Sequence, residues 1–212
     1  MLRAAAEVFA ENGFDHASIR AVAERAAISV PGLYHYVRSK DELLFFIQFN
    51  VFDSLLTGYQ QDARGVAAPE DRLALLIGNH LARFLANLSE LVVCSREINR
   101  LEGDFRKRVG ARQRAYFDCA VAIFADLEKK HGGSSVSPRT SALAMFGAIN
   151  WIHTWYQPRT GPSADRLAAD FTHLFIQGAL PRSAPRQRAN PPGDIRTART
   201  KAGLPGRLER RD

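Results

Sequence analysis

The chain has 212 residues, of which 46% are hydrophobic and 24% charged, and it carries a formal net charge of +7. This balance is that of a folded globular protein and argues against a largely disordered chain. No apolar run approaches the roughly 18 to 20 residues of a membrane span, and Glu7 and Glu11 interrupt the only stretch that could serve as an export signal, so we expect a cytoplasmic protein.

Residues 1 to about 180 are predicted to be almost entirely helical, because apolar residues recur at intervals of three and four. One such stripe comprises Leu73, Ile77, Leu81, Phe84 and Leu88. Glycine, proline and asparagine predict breaks at 12–13, 65–69, 102–103, 132–135 and 158–162. The pattern therefore predicts an all-α fold of about nine helices, with the second and third very short.

Residues 18–36 are predicted to form two short helices joined by a tight turn. Ser18 and Ser29 are suited to cap these helices, and Pro31 fits the first turn of the second one. We expect Ile28 to be the buried residue of the turn, and small Ala23 to let the helices cross closely, as a helix-turn-helix requires. The other predicted inward positions are Ile19, Val22, Ala26 and Leu33. On spacing alone, a purely structural helical hairpin remains the alternative.

The flanking sequences extend this pattern, with AAAEVFAENGF before it and RSKDELL after it. Together, residues 1 to about 47 resemble the N-terminal DNA-binding domain of the TetR family of transcriptional regulators. Two positions depart from the family pattern, because Ala27 stands where a glycine is usual and Val37 replaces a common aromatic residue. The resemblance implies a DNA-binding domain over 1–47 and a ligand-binding and dimerisation domain over 48–180.

The same resemblance implies which residues contact DNA. Tyr34, Tyr36 and Lys40 are expected on phosphates, and Arg20 is expected to reach the groove from the preceding helix. The residues expected at base edges or at the helix starts beside them are Ser18, Ser29, Val30, Pro31, Gly32 and His35. The second helix carries no Arg, Lys, Asn or Gln, so base contacts are predicted to be sparse and largely apolar.

The first fifty residues hold five basic and six acidic side chains, so a single copy is expected to bind DNA weakly and to require dimerisation. The family implies that the last two long helices, predicted over 138–156 and 163–180, form a four-helix interface with a second copy. Small and apolar residues suited to close packing there are Ala142, Leu143, Ala144, Phe146, Gly147, Ala148, Leu167, Ala168, Ala169, Phe171, Leu174, Phe175 and Gly178. A role in the core of one chain is the alternative.

Residues 149–158, INWIHTWYQP, resemble the C-terminal domain of TetR regulators that respond to acyl-CoA thioesters. A small-molecule cavity is predicted, lined by Phe45, Phe49, Phe52, Phe84, Leu88, Phe117, Phe124, Trp151 and Trp155. The alternative is that this set is ordinary core. Five bases, Arg106, Lys107, Arg108, Arg112 and Arg114, are a candidate seat for the phosphates of CoA, and a solvated helix face is favoured over that use.

Residues 181–212 hold nine basic and three acidic residues and are predicted to be a disordered tail, either inert or in nonspecific contact with DNA. Cys94 and Cys119 show no CxxC spacing, and the six histidines show no metal-binding pattern, so no metal or cofactor is expected. No catalytic motif is present. We therefore predict a homodimeric, ligand-responsive transcriptional repressor rather than an enzyme. The alternative is a helical interaction or small-molecule-binding protein without operator binding.

Overall fold

The computed structural model describes residues 1–179, and within them all regular structure is helical. The prediction of an all-α fold with about nine helices is confirmed for this part of the chain, and the predicted tail at 181–212 lies outside it. The helices are α1 (Leu2–Asn12), α2 (Ile19–Arg25), α3 (Val30–Tyr34), α4 (Lys40–Asp62), α5 (Pro69–Leu85), α6 (Leu88–Arg96), α7 (Gly103–His131), α8 (Pro138–Asn150) and α9 (Ala164–Ala179), with a 3₁₀ helix at Trp151–Thr154.

The boundary between α5 and α6 differs from the predicted stripe. Leu88 does not continue the helix of Leu73; it is the first residue of α6. Asn87 causes the break, because its side chain accepts a hydrogen bond from the amide of Glu90 and so starts a new helix. A single asparagine in an apolar stripe therefore ends the periodicity that the sequence pattern suggests.

The predicted helix over 138–156 is also shorter than expected. α8 ends at Asn150, and the chain tightens into the 3₁₀ helix, where the ring of His153 is 2.8 Å from the carbonyl oxygen of Asn150. The hydroxyl of Thr154 donates to the carbonyl of Trp151 at 2.8 Å. These local side-chain bonds compete with the α-helical pattern and end it before the two tryptophans.

Two apolar cores are present, and they meet along α4. One lies among α1 to α3 and the start of α4, and the other lies among α4, α5, α7, α8 and α9. The first core also takes in Val93, Leu101 and Val109 from α6 and α7 and the segment between them. The ring of Phe45 stacks on that of Phe105 with centroids 4.5 Å apart. α4 runs without a break across position 47, the predicted end of the N-terminal domain, and α1 packs directly on α6.

Candidate functional site

The two short helices α2 and α3 are fixed by a serine at each start. Ser18 Oγ accepts a hydrogen bond from the amide of Ala21 at 3.1 Å, and Ser29 Oγ accepts one from the amide of Gly32 at 3.0 Å. A Cβ on Gly32 would lie 3.0 Å from Ser29 Oγ, so this cap requires a glycine or a displacement of the serine. The turn between the helices requires a positive φ, which Ala27 adopts at 54°.

The prediction that Ile28 is the buried residue of this turn is wrong, because its side chain is 36% exposed. The backbone closes the turn instead, since the amide of Ile28 donates to the carbonyl of Ala23 at 3.0 Å in the manner of a Schellman motif. Val22, Ala23 and Leu33 are buried as predicted. Ile19 and Ala26 are only half-buried.

The outer face of α3 presents most of the predicted DNA-binding residues to solvent. Tyr34 and Tyr36 are 50% and 70% exposed, and Pro31 and His35 also lie at the surface. Val30 is half-buried against the N-terminal core, which leaves only part of its side chain available. This face therefore offers two phenol hydroxyls, an imidazole and small apolar groups, which suits phosphate contacts with few base contacts.

Two of the five basic side chains in residues 1–50, Arg3 and Arg25, have acidic partners. Arg25 of α2 lies 2.7 Å from Glu11 and 3.3 Å from Glu7 of α1, and its hydrogen bonds hold the pKa of the Glu11 carboxyl below its usual range. Within the described residues, the exposed side chains of Arg20 and Arg38 form neither an ion pair nor a hydrogen bond. Arg38 lies in the turn before α4 and was not among the predicted contacts.

Lys40, which was predicted to contact phosphate, has partners inside the chain. Its Nζ donates to the backbone carbonyls of Phe14 at 2.8 Å, Asp15 at 3.1 Å and Ala17 at 3.0 Å, and it lies 4.7 Å from the centroid of the Phe14 ring. An ammonium group has three donors, so these three bonds occupy all of them. Lys40 therefore holds the turn before α2 against the start of α4.

An apolar cavity of about 220 Å³ lies in the helical body between α5, α6, α7 and α8. Three of the predicted residues line it, namely Phe52, Phe84 and Phe117. The other lining residues were not predicted in the cavity, and they are His80, Leu91, Cys94, Ser95, Ile98, Gln113, Tyr116, Leu143, Phe146 and Asn150. Among these residues, only Asn150 stands out in the sequence, because it is the polar residue that ends the apolar run 142–149.

The remaining predicted cavity residues have other surroundings. Phe45 and Phe124 belong to the two cores, and Phe49 packs on Phe45 beneath the guanidinium groups of Arg108 and Arg112. Leu88 lies at the start of α6, outside the cavity lining. Trp151 and Trp155 are 64% and 47% exposed on the outer surface. The prediction that these six residues line this cavity is not supported.

Three linked polar side chains lie in the wall of the apolar cavity. His80 is fully enclosed, with its Nε2 3.0 Å from Asn150 Oδ1 and its Nδ1 3.4 Å from the hydroxyl of Tyr116. Burial lowers the pKa of His80 to about 4 and raises the pKa of Tyr116, so both side chains are neutral near pH 7. A neutral imidazole that donates to the asparagine and accepts from the tyrosine satisfies all three groups.

A second cavity, of about 340 Å³, adjoins the first and has a different character. Ile98 and Gln113 line both cavities. Arg106, Lys107 and Arg114 line only the second one, which makes it basic. The other two members of the predicted basic group face α4 instead, since Arg112 pairs with Asp53 at 2.9 Å and Arg108 lies over Phe45.

The end of α6 at Arg96 and residues 97–102, between α6 and α7, connect these cavities to the N-terminal helices. Arg96 donates to the carbonyl of Ala10 at 3.4 Å, and Arg100 forms an ion pair with Asp15. The same segment contributes Ile98 to both cavities and Asn99 to the second. A change in cavity occupancy that moves this segment would therefore act directly on α1 and on the turn that follows it.

Other site types find no support in the described residues. Residues 1–179 contain no group of three or more His, Cys, Asp or Glu side chains that could hold a metal ion. No helix in this range is both long enough and apolar enough to cross a bilayer. Cys94 and Cys119 are free thiols, and burial raises the pKa of both, which makes them poor nucleophiles.

Comparison with protein families gives two matches that together span most of the described chain. Residues 1–46 match the family described as "Bacterial regulatory proteins, tetR family", and residues 66–179 match that described as "Tetracyclin repressor-like, C-terminal domain". Among curated proteins, the transcriptional repressor KstR2 of Mycolicibacterium smegmatis is 24% identical over 186 residues, which cover 84% of this chain and 88% of the relative.

Two solved structures share this fold and contain CoA thioesters. The structure of AibR with isovaleryl coenzyme A and operator DNA has a TM-score of 0.73 at 22% identity, covering 84% of this chain and 97% of that one. The structure of FadR from Bacillus subtilis with stearoyl-CoA has a TM-score of 0.67 at 20% identity, covering 84% and 96%. At these identities the likeness shows the fold.

Proposed function

This chain belongs to the TetR family of bacterial transcriptional regulators, and we propose that it is a homodimeric repressor that an acyl-CoA thioester releases from its operator. The family consists of DNA-binding regulators rather than enzymes. The observation that carries the effector class is the pair of adjoining cavities, one apolar and one basic, which share Ile98 and Gln113.

The two cavities match the two ends of an acyl-CoA thioester. An acyl chain gains free energy by leaving water for the aromatic lining of the first cavity. The phosphates of the CoA moiety suit Arg106, Lys107 and Arg114 in the second, because guanidinium groups make strong charge-assisted bonds to phosphate. The CoA thioesters in the structures of AibR and FadR support this assignment.

The DNA-binding surface we propose is the exposed face of α3 with the turns on either side. Pro31, His35 and the free part of Val30 face base edges, and Tyr34 and Tyr36 contact phosphates. Ser18, Ser29 and Gly32 start and shape the two helices. Arg20 contributes one base contact. Lys40 supports this surface indirectly, because its three donors bond the carbonyls of Phe14, Asp15 and Ala17 and so hold the turn before α2.

Dimerisation through α8 and α9 would supply the second half-site contact. Leu143 and Leu174 are more than half exposed, and Ala144, Gly147 and Ala169 leave room for close helix approach. Other members of the predicted interface serve the core of one chain, since Ala142 and Leu167 are buried and Phe146 and Ala168 pack against that core. The proposed interface is therefore the outer strip of these two helices.

Release from DNA is proposed to follow a shift in population. The effector favours a dimer in which the two α3 helices no longer match half-sites one helical turn apart. α4 transmits this change, because it begins beside the helix-turn-helix at Lys40 and contributes Gln48 and Phe52 to the two cavities.

Footprinting on the DNA upstream of the gene, together with sedimentation of the purified protein, tests this function. We expect a dimer that protects two half-sites whose centres are about 10 base pairs apart, and no protection of a scrambled duplex of equal length. Equal or absent binding to both duplexes would instead favour a helical interaction or small-molecule-binding protein without an operator.

A further inference from the structure

One buried amide oxygen beside the basic cavity has no hydrogen-bond partner among residues 1–179. Gln48 of α4 is fully buried and lines this cavity. Its Nε2 donates to the carbonyl oxygen of Glu97 at 2.8 Å, which fixes the orientation of the amide. Its Oε1 accepts no hydrogen bond from any described residue. Such an unsatisfied acceptor costs roughly 1 to 3 kcal/mol, so it calls for a partner.

A buried amide donor lies on the opposite helix. Gln113 of α7 lines both the apolar and the basic cavity. Its Nε2 is buried, and within residues 1–179 it finds no acceptor. α4 and α7 pack against each other, so the two glutamines approach the basic cavity from two sides. Together they supply one acceptor and one donor where an apolar space meets a positively charged one.

We propose that Gln48 and Gln113 bind a secondary amide of the effector, with Gln48 Oε1 accepting its N–H and Gln113 Nε2 donating to its C=O. A secondary amide has one N–H and one C=O, which complement these two atoms. This inference rests on the proposed function and makes it more specific. In an acyl-CoA thioester, the amide next to the sulfur lies between the apolar acyl chain and the phosphates, as Gln113 lies where the apolar cavity meets the basic one and Gln48 lies on the basic side.

The test uses the full-length protein and two uncharged probes that differ in one group. S-octanoyl-N-acetylcysteamine carries a thioester and one amide, and S-ethyl thiooctanoate carries the same thioester without the amide. We expect calorimetry to show that the amide probe binds about tenfold more tightly, the worth of one to two buried hydrogen bonds. Gln113→Leu, which keeps the side-chain volume, should abolish this preference.

Octanoyl-CoA and three further variants complete the design. Gln48→Leu should also abolish the preference, and because this change affects a fully buried site, its unfolding transition is measured first. Gln60→Leu, the same substitution at an exposed glutamine of α4 outside both cavities, should leave the preference unchanged. Arg114→Ala should weaken octanoyl-CoA alone, because only that ligand carries phosphates.

The outcomes separate this inference from the function on which it rests. If wild type binds octanoyl-CoA but shows no preference for the amide probe, or if Gln113→Leu keeps the preference, the amide site is overturned and the effector class stands. If wild type binds neither octanoyl-CoA nor the amide probe, the acyl-CoA effector class is overturned together with the amide site.

Discussion

The side-chain amide of Gln48 donates a 2.8 Å hydrogen bond to the backbone carbonyl of Glu97, joining the middle of α4 to the end of α6. The carboxylate of Glu97 in turn accepts from the amide of Phe14, in the turn that precedes α2, at 3.4 Å. One residue therefore links a cavity wall to the helix-turn-helix. An effector that displaces Glu97 acts on the N-terminal helices without a long chain of intermediates.

We expect Glu97→Ala to weaken the coupling between effector and DNA. The substitution removes the contact to Phe14 and keeps the backbone carbonyl that Gln48 uses. Effector affinity should stay within about twofold, and the factor by which octanoyl-CoA lowers operator affinity should fall severalfold. Operator titrations with and without octanoyl-CoA measure this factor. Glu102→Ala, an exposed acid at the end of the same segment, is the control. An unchanged factor in Glu97→Ala would exclude this route.

Arg38 and Lys40 are expected to respond differently to truncation. Arg38→Ala should weaken operator and random DNA alike and reduce the salt slope of binding by about two, one for each protomer of the dimer, because an unpaired exposed cation near α3 is free to contact phosphate. Arg64→Ala, at an exposed arginine after α4, should change neither. A full salt slope in Arg38→Ala would contradict the phosphate contact.

Lys40→Met should act first on stability. Loss of its three bonds to the carbonyls of Phe14, Asp15 and Ala17 is expected to lower the free energy of unfolding by about 1 to 2 kcal/mol. Urea denaturation measures this loss. If stability is unchanged and the salt slope falls instead, the lysine contacts phosphate as the sequence predicts.

Ala27→Gly should stabilise the protein. Ala27 holds a φ of 54°, where a Cβ is strained, and relief of this strain exceeds the added freedom of glycine in the unfolded chain by about 0.5 to 1 kcal/mol. Ala26→Gly is the matched control, because its φ of −83° suits alanine and the change should destabilise. Urea midpoints of both variants against wild type decide the sign at each position.

His80 makes stability depend on pH in a defined window. Burial lowers its pKa from 6.5 to about 4, so as the pH falls the unfolded chain takes up the proton first. The contribution of neutral His80 to the free energy of unfolding is complete above pH 6.5 and is lost as the pH falls to about 4. This contribution amounts to at most roughly 3 kcal/mol. His80→Gln should flatten the pH dependence of unfolding over this range, whereas exposed His16→Gln should keep it. Parallel curves for all three proteins would refute the assignment.

Local chemistry explains which parts of the fold were predictable from the sequence. The starts of α2, α3 and α4 are set by Ser18, Ser29 and Ser39, whose side chains accept from amides three residues later. Such caps involve neighbours in sequence and can be read from it. Asn87 caps α6 in the same way. Because the apolar residues on either side of it keep a helical spacing, the sequence pattern predicts a continuous helix there instead of a cap.

The cavities were only partly predictable because they depend on contacts between distant residues. Phe49 is an aromatic residue of the type that commonly lines cavities, yet Arg108 and Arg112 of α7 cover its ring. The partnerless atoms of Gln48 and Gln113 become visible only when α4 and α7 are placed against each other. Periodicity identifies the inner face of a helix, but it does not say what lies opposite that face.

The most direct test of the central claim is the release of a labelled operator duplex, followed by fluorescence anisotropy as octanoyl-CoA is added. We expect wild type to leave the operator as octanoyl-CoA binds, with operator affinity lowered by about tenfold or more. Octanoate and CoA added separately should have much smaller effects, because each fills only one of the two cavities. Operator binding that octanoyl-CoA leaves unchanged would contradict release by an acyl-CoA thioester, although the protein would remain a DNA-binding regulator.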